Sequence, residues 1–492
     1  MVEQLLKKHG LTYRQRLFSL AREAENSIAP IQLTERAQWF FTNGIISDMG
    51  EGKAPYRPRY VVPDYDTFLK QGSKFLLIDP PSNLFEAVSA LLILYHHVPS
   101  VTGLPVYIGH LDRLLEPYIE DEQEAEKLIQ MLLTQVDRTI SDSFCHCDIG
   151  PYDTRAGRII LSLTKRLQRP CPNISLIYNQ NTPDDFAREA IACGLSCSKP
   201  SFVNDGIYAS EWGENYAIVS CYNALPVGGG GYTLGRMDLK RLGEEARDER
   251  HLLDTLLPEA VAAQCEQMDK RIRYIVEDCR FFENSFLAEE GLIFPERFVG
   301  IFGLIGMAQC VNTMLHAAEP EQRYGRSEEA AALAERILNS IHTQVRAYRP
   351  KYGEFYLHGQ VGISTDQGVT PNVRIPVGEE PAFPEHIAFT ARMHKHFACG
   401  VGDLFPFEPT AERNPQAVLD IIRGAFAQGM RYFSYYSSDA DVIRITGYLV
   451  KRSDIEQLRS GRATLNGNTA LGSEALSNLH VLERKVRRTD GT

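Results

Sequence analysis

One glycine and one cysteine carry most of the chemistry this sequence can offer. Gly447 interrupts the β-branched, apolar run Asp441-Val442-Ile443-Arg444-Ile445-Thr446-Gly447-Tyr448-Leu449-Val450. A carbon radical at a backbone Cα lies between a donating amide nitrogen and a withdrawing carbonyl. Both delocalise the unpaired electron, and both need a planar centre that a Cβ would crowd. Glycine is therefore the natural backbone residue for such a radical. The site must also be buried, because dioxygen would react with it and cut the chain. A second reading stands beside this one, since a glycine within a strand marks a bulge or a close backbone approach. Cys221 follows Tyr216-Ala217-Ile218-Val219-Ser220 and precedes Tyr222-Asn223-Ala224-Leu225-Pro226. A cysteine after a short strand is either an inert buried thiol or a sulfur that gives up and regains a hydrogen atom.

Other clusters invite weaker readings. Gly228-Gly229-Gly230-Gly231 fits no Walker or Rossmann pattern. It serves either as a phosphate cradle or, as we read it, as flexibility and close approach for the Cys221 loop. Cys145-His146-Cys147-Asp148 lacks the spacing of zinc pairs and reads as free thiols in a loop. Cys193 and Cys197 have a usable spacing but no second pair, and read as structural. His386, His394 and His396 read as surface or pocket histidines, and Lys53, Arg57 and Arg59 as a solvated loop that could also attract an anion. We expect no metal.

The elements that must position these residues are mixed. Phe75-Leu76-Leu77-Ile78, Ile174 to Tyr178 and Tyr216 to Val219 read as strands. Ala87 to Tyr95 reads as a buried helix, and Thr182-Pro183-Asp184-Asp185 as a helix start. Glu249 to about Leu287 is helical with a break at Pro258, and Ser327 caps a helix to Tyr348. Residues 349–413 read as loops over a cavity, 415–437 as helix then strand, and the chain past Arg459, with its basic run Arg484-Lys485-Val486-Arg487-Arg488, as a peripheral tail. We divide the chain into an N-terminal helical cover (1–48), a body (49–414) whose cysteine loop spans 216–231, and a C-terminal radical segment with its tail (415–492).

The 492 residues carry a net charge of −11, which argues against nucleic acid as a partner. No run of about 18 apolar residues marks a membrane span, and Met1 to Lys8 has no signal-peptide core. Ten scattered cysteines form no disulfide framework and read as reduced thiols in a cytoplasm.

Arg444-Ile445-Thr446-Gly447-Tyr448 resembles the Arg-Val-x-Gly-Tyr signature of glycyl radical enzymes, with Ile for Val and the same position near the C-terminus. Tyr216 to Pro226 resembles the active-site loop of pyruvate formate-lyase, including its Tyr-Ala-Ile lead-in, and Gly194-Leu195-Ser196 and Asn204-Asp205 resemble what precedes that loop. Most of the chain resembles the YjjI family of glycyl radical enzymes. Tyr95 to Thr102, Ser220 to Asn223 with Gly228 to Gly231, and Phe281 to Phe286 carry that likeness.

The resemblance implies a ten-stranded α/β barrel of two five-stranded halves with a helical cover. Two loops would enter it from opposite ends, bringing Gly447 to Cys221, with Arg444 and Tyr448 supporting the radical and Ser220, Tyr222 and Asn223 facing substrate. It implies a radical-SAM iron–sulfur activating enzyme that uses S-adenosylmethionine to remove one hydrogen from Gly447, which requires the C-terminal part to swing out. No cofactor is bound for turnover. The Cys221 thiyl would then abstract hydrogen from a small, polar metabolite under anaerobic conditions. Ser220 replaces the second cysteine of pyruvate formate-lyase, so acyl capture is not expected. Asn223 replaces the glutamate base of the eliminating enzymes, so a nearby His or Asp must serve. No cysteine follows Cys399, so the zinc site of anaerobic ribonucleotide reductase is absent. We expect a homodimer. The rivals are a regulatory homologue that binds without turnover, and an ordinary α/β enzyme using the glycine run for a nucleotide.

Overall fold

Two of the apolar runs expected to form strands do so at the heart of the molecule. In the computed structural model, which describes residues 2–140, 142, 144–362 and 366–489, the strands are β1 (Ile46–Asp48), β2 (Tyr60–Val62), β3 (Tyr107–His110), β4 (His146–Ile149), β5 (Asn173–Tyr178), β6 (Ser201–Asn204), β7 (Tyr216–Val219), β8 (Asn223–Pro226), β9 (Gly229–Asp238), β10 (Phe298–Ile305), β11 (Phe355–Gly359), β12 (Asp403–Phe407), β13 (Tyr432–Ser437), β14 (Val442–Arg444) and β15 (Leu449–Lys451). Met1, residues 363–365 of the expected loop region and residues 490–492 of the tail lie outside the described residues.

The strands form two main sheets. In the first, β9, β10 and β11 run parallel, and β1 and β2 pair antiparallel with β9. In the second the order is β12-β13-β6-β5-β4-β3. Here β3 to β6 are parallel, β13 is antiparallel to β6, and β12 is parallel to β13. The strands thus divide five and six rather than five and five. In the first sheet β9 is long enough that one edge seats β1 against Gly235–Met237 and β2 against Gly229–Gly231, end to end. The sheets therefore have four and six positions across. Helices cover them, so strands such as β10 are buried throughout and read as continuous apolar runs without alternation.

Helix starts follow local chemistry. Ser327 accepts from the Ala330 amide and begins the helix Glu328–Ala347, and Asn83 does the same for Leu84–Tyr95. The helix Asp184–Cys197 begins where expected, although Pro183 at its cap offers no side-chain acceptor. No helix among the described residues is long and apolar enough to cross a membrane.

Four expectations need correction. Phe75 to Ile78 is a turn closed by a bridge between Ser73 and Ile78, with Leu77 at φ 56 and almost fully exposed. Pro258 does not break its helix. A π-helical stretch, Leu252–Leu256, leads into Leu257–Arg273, and the proline takes an early position where its missing N–H costs little. Residues 349–413 include β11, β12 and the helix Phe383–His394. The chain past Arg459 is docked: the helix Thr469–Asn478 and residues Leu479 and Val481 pack against Ile443, Ile445, Tyr448 and Val450. Burying side chains of that size stabilises by about 1.5–3 kcal/mol each. Sheet pairing also crosses the expected segment limits, since β1 belongs to the first sheet and β13 to the second.

Candidate active site

The strands β7 and β8 pair as a hairpin that stands apart from both sheets yet lies between them. β7 packs against β3 and β4, and β8 against β9 and β10. Its tip is Ser220-Cys221-Tyr222. Ser220 takes the left-handed φ of 62, and the Cys221 amide donates to the Val219 carbonyl at 2.6 Å. That is a γ-turn, a strained conformation for a residue with a Cβ. The Ser220 amide donates to the Val106 carbonyl at 3.2 Å, which anchors the turn to the second sheet. Gly400, at φ 103, lets the Tyr222 carbonyl pass where any Cβ would collide.

A second hairpin, β14 and β15, carries Thr446 and Gly447 at its tip, closed by the Ile445 amide donating to the Tyr448 carbonyl at 3.0 Å. The strand-glycine reading is thus replaced by a tight turn. Arg444 is fully buried beneath it. Its Nη1 donates to the Gly447 carbonyl at 3.1 Å, and its Nη2 to Asn173 Oδ1 at 3.0 Å and the Ser198 carbonyl at 2.7 Å. Asn173 Nδ2 donates to the same Gly447 carbonyl at 3.2 Å. No carboxylate lies within ion-pair distance of Arg444 among the described residues, and burial pulls its pKa down. The Tyr448 ring is buried against Phe144, 5.1 Å between centroids.

The two tips meet. A Cβ added to Gly447 would collide with the Cys221 Cβ and stand 3.1 Å from its Sγ, with Val361 at 3.0 Å. Gly447 has no left-handed φ, so space rather than backbone conformation demands glycine here. The hairpins arrive from opposite ends of the second sheet. The cysteine hairpin enters past Asp148 and Asp205, beyond the middle of β4 and just after β6. The glycine hairpin enters beside Asn173, the first residue of β5, and Ser198, just before β6.

Burial pushes the Cys221 thiol up to about 11, so it stays protonated at neutral pH. Asn223 Nδ2 donates to its sulfur at 3.3 Å and to the Val219 carbonyl at 3.1 Å, while Asn223 Oδ1 has no partner among the described residues. The Tyr222 hydroxyl accepts from Asn372 at 3.2 Å, and its ring lies 5.4 Å from His358. Burial lowers the His358 pKa to about 4, and its Nδ1 lies 3.0 Å from the Cys399 carbonyl. Because a carbonyl only accepts, Nδ1 carries the hydrogen in the neutral ring and Nε2 holds a lone pair. In native protein at pH 8, iodoacetamide should therefore modify the half-buried Cys279 well before Cys221, as read by peptide mass spectrometry. Rapid labelling of Cys221 would contradict a protonated, enclosed thiol.

The other candidates sit elsewhere. Gly229 to Gly231 are strand, where a Cβ on Gly229 or Gly230 would strike the Arg297 or Tyr60 backbone and one on Gly231 the Ile301 side chain, so close approach holds and flexibility does not. Cys147 lies within β4 rather than in a loop, Cys145 lies in the loop just before it, and both are buried free thiols. The Cys193 and Cys197 sulfurs are 3.8 Å apart in one buried helix. His386 and His394 are buried, as are Arg57 and Arg59, which pair with Glu25 and Glu51 instead of facing solvent. No group of three or more metal-ligating side chains occurs among the described residues. Sequence reasoning missed Asn173, Ser198, Asn372 and Arg374, whose Nη2 donates to the Thr446 carbonyl at 3.2 Å. The available signal was a polar residue opening the otherwise apolar run Asn173 to Tyr178.

The description "Glycyl radical enzyme YjjI-like" matches residues 11–487. This chain belongs to that family. The YjjI-like chain is 42% identical to a Haemophilus influenzae protein over 98% of its own length and 96% of the relative's. It is 40% identical to the Escherichia coli protein YjjI over 99% and 95%. Its fold is that of an anaerobic ribonucleotide reductase from Thermotoga maritima, with a TM-score of 0.71, 12% identity and 92% of each chain covered. It is also that of a glycyl radical enzyme from Archaeoglobus fulgidus, with a TM-score of 0.68, 12% identity and 92% and 83% coverage. The YjjI-like chain therefore shares the α/β barrel architecture expected from its motifs.

Proposed function

We propose that Gly447 stores an unpaired electron and that Cys221 uses it on a small, polar substrate. The observation that carries this reading is the approach of the two buried tips, 3.1 Å from a Gly447 Cβ position to Cys221 Sγ. In the forward step the Cys221 S–H bond breaks and a Cα–H bond forms at Gly447, leaving a sulfur radical. That radical takes hydrogen from a substrate carbon, and the product radical recovers it from Cys221. The hydrogen atom comes from S–H, so a thiol held protonated by burial is the competent form. Arg444 and Asn173 both donate to the Gly447 carbonyl, which draws electron density out of the radical centre and favours delocalisation.

The chain's own groups limit the substrate chemistry. Ser220 cannot capture an acyl group as a thiolate would, and Asn223 cannot take a proton. His358, neutral and with its ring 5.4 Å from that of Tyr222, is the candidate base. The enclosing barrel orients substrate and excludes water. Installation of the radical falls to a radical-SAM activating enzyme working with S-adenosylmethionine in a reducing, anaerobic cytoplasm.

Electron paramagnetic resonance after anaerobic activation tests this directly. The expected signal is a doublet from the remaining Gly447 hydrogen. In D2O the Cys221 thiol becomes S–D, and exchange between the two sites should collapse that doublet. Air should then cut the activated chain at Gly447. No doublet, or one that maps to another residue, would end the proposal.

Replacing Arg444 by Met should lower stability by about 3 kcal/mol, because the Gly447 and Ser198 carbonyls and Asn173 lose a buried donor. Radical yield should fall with it. Urea unfolding and spin counting on the same sample check both effects.

A further inference from the structure

Within the C-terminal basic run Lys485 and Arg488 are exposed, while Arg484 and Arg487 turn inward and their contacts converge on the radical hairpin. Arg484 donates to the Arg444 carbonyl and the Tyr436 hydroxyl, each at 3.2 Å, and also to the Ile445 carbonyl. Three residues on, the backbone of Arg487 joins the free edge of β12. Its amide donates to the Pro406 carbonyl at 2.7 Å, and its carbonyl accepts from the Glu408 amide at 2.9 Å. Adding a strand to an exposed sheet edge gives main-chain hydrogen bonds with little demand on side chains. Between these anchors, Lys485 Nζ donates to the Glu380 carbonyl.

The Arg487 side chain extends the connection inward. It donates to the Pro381 carbonyl at 3.2 Å and to His386 Nδ1 at 2.7 Å. A guanidinium only donates, so Nδ1 accepts and His386 Nε2 carries the hydrogen that reaches Asp403 at 2.8 Å. Asp403 lies 3.6 Å from Arg374, and Arg374 donates to the Thr446 carbonyl. The two carbonyls that precede Gly447 are thus gripped from the tail, one directly by Arg484 and one through Arg487, His386, Asp403 and Arg374.

The hairpin also has a small core of its own. Ile443, Ile445, Tyr448 and Val450 cluster with Ile455, Ala475, Leu479 and Val481, separately from the main core. The opposite face of the hairpin inserts Val442 and Leu449 into the main core, so the unit leaves the body by withdrawing those two side chains and releasing its polar ties.

We propose that residues 484–487 form a strap that positions Gly447 against Cys221 and must unfasten before the hairpin can be activated. This rests on the radical reading of Gly447. Arg484 and Arg487 are positioning residues, since neither touches the reacting atoms.

The test compares the full-length chain with Arg484→Ala/Arg487→Ala, activated anaerobically by the same activating enzyme in D2O. The two ties lost shift the closed–open balance, so the doublet should appear about fivefold faster and collapse by exchange with Cys221 about fivefold more slowly. A merely structural weakening would slow both. Arg484→Lys/Arg487→Lys, which keeps the charge but gathers the donors on one nitrogen and loses the guanidinium fork, should lie between. Amide hydrogen exchange on the unactivated chain gives an independent readout: the 441–451 peptide should exchange faster in the Ala variant while β10 does not. Rates equal to wild type, or both slowed, overturn the strap. If wild type itself gives no doublet, the radical reading fails, and unchanged exchange over 441–451 would still sink the strap on its own.

Discussion

A chain carrying Gly447→Ala gives no radical signal after activation and no cut in air, although it still folds. The added Cβ has nowhere to go. It collides with the Cys221 Cβ and sits 3.0 Å from Val361 Cγ1, at a tip held by hydrogen bonds from Arg444, Asn173 and Arg374. Either hairpin can retreat only by breaking some of these, so the variant should lose about 1–3 kcal/mol, the usual cost of overpacking. The loss of signal has a separate cause. An alanyl radical cannot flatten beside that sulfur, and the side chain blocks approach to the remaining hydrogen. Anaerobic resonance spectra and urea unfolding separate the two effects. A normal doublet in this variant would show that another residue carries the radical.

Cys221→Ala separates storage from use. Activation acts on Gly447 alone, so the doublet should reach wild-type intensity. In D2O it should keep its splitting indefinitely, because no S–D remains to exchange with the Gly447 hydrogen. Every conversion of substrate should be lost. The stability change should be small, since alanine relieves the contact with Gly447 while vacating a tightly packed position. A doublet that still collapses in D2O would point to a second hydrogen donor at the tip, and a variant that retains turnover would remove Cys221 from the mechanism. Cys221 is the cysteine that a Gly447 Cβ would meet, and Asn223, which donates to its sulfur at 3.3 Å, has no hydrogen that a carbon radical can readily take.

Much of the site was legible because its residues lie in short, unusual runs. A glycine between β-branched residues and a cysteine after an apolar strand have few chemical uses, and both lie within about ten residues of their supporting motif. Elements with strong local signals were legible too: Ser327 as a cap, Ile174 to Tyr178 as a buried strand, Leu84 to Tyr95 as a core helix. The failures share another pattern. Phe75-Leu76-Leu77-Ile78 is apolar enough for a strand but has no partner edge, and closes as a turn. The polar tail past Arg459 looked peripheral because its stabilising partners, Ile443, Val450 and the β12 edge, are remote in sequence. Arg57 and Arg59 looked solvent-bound because their burial depends on what folds over them.

The order of residues by itself determined which atoms can hold and pass a hydrogen: a Cα without a side chain at 447, a thiol at 221, and a motif arginine three residues before the glycine. Only the tertiary structure decided that these atoms meet, since sequence separation carries no information about distance once two hairpins enter one barrel from opposite ends. It also decided the polar setting. Asn173, Ser198, Arg374 and the tail arginines act on the glycine tip through hydrogen bonds, and a hydrogen bond depends on angle and separation in space, which no local pattern encodes.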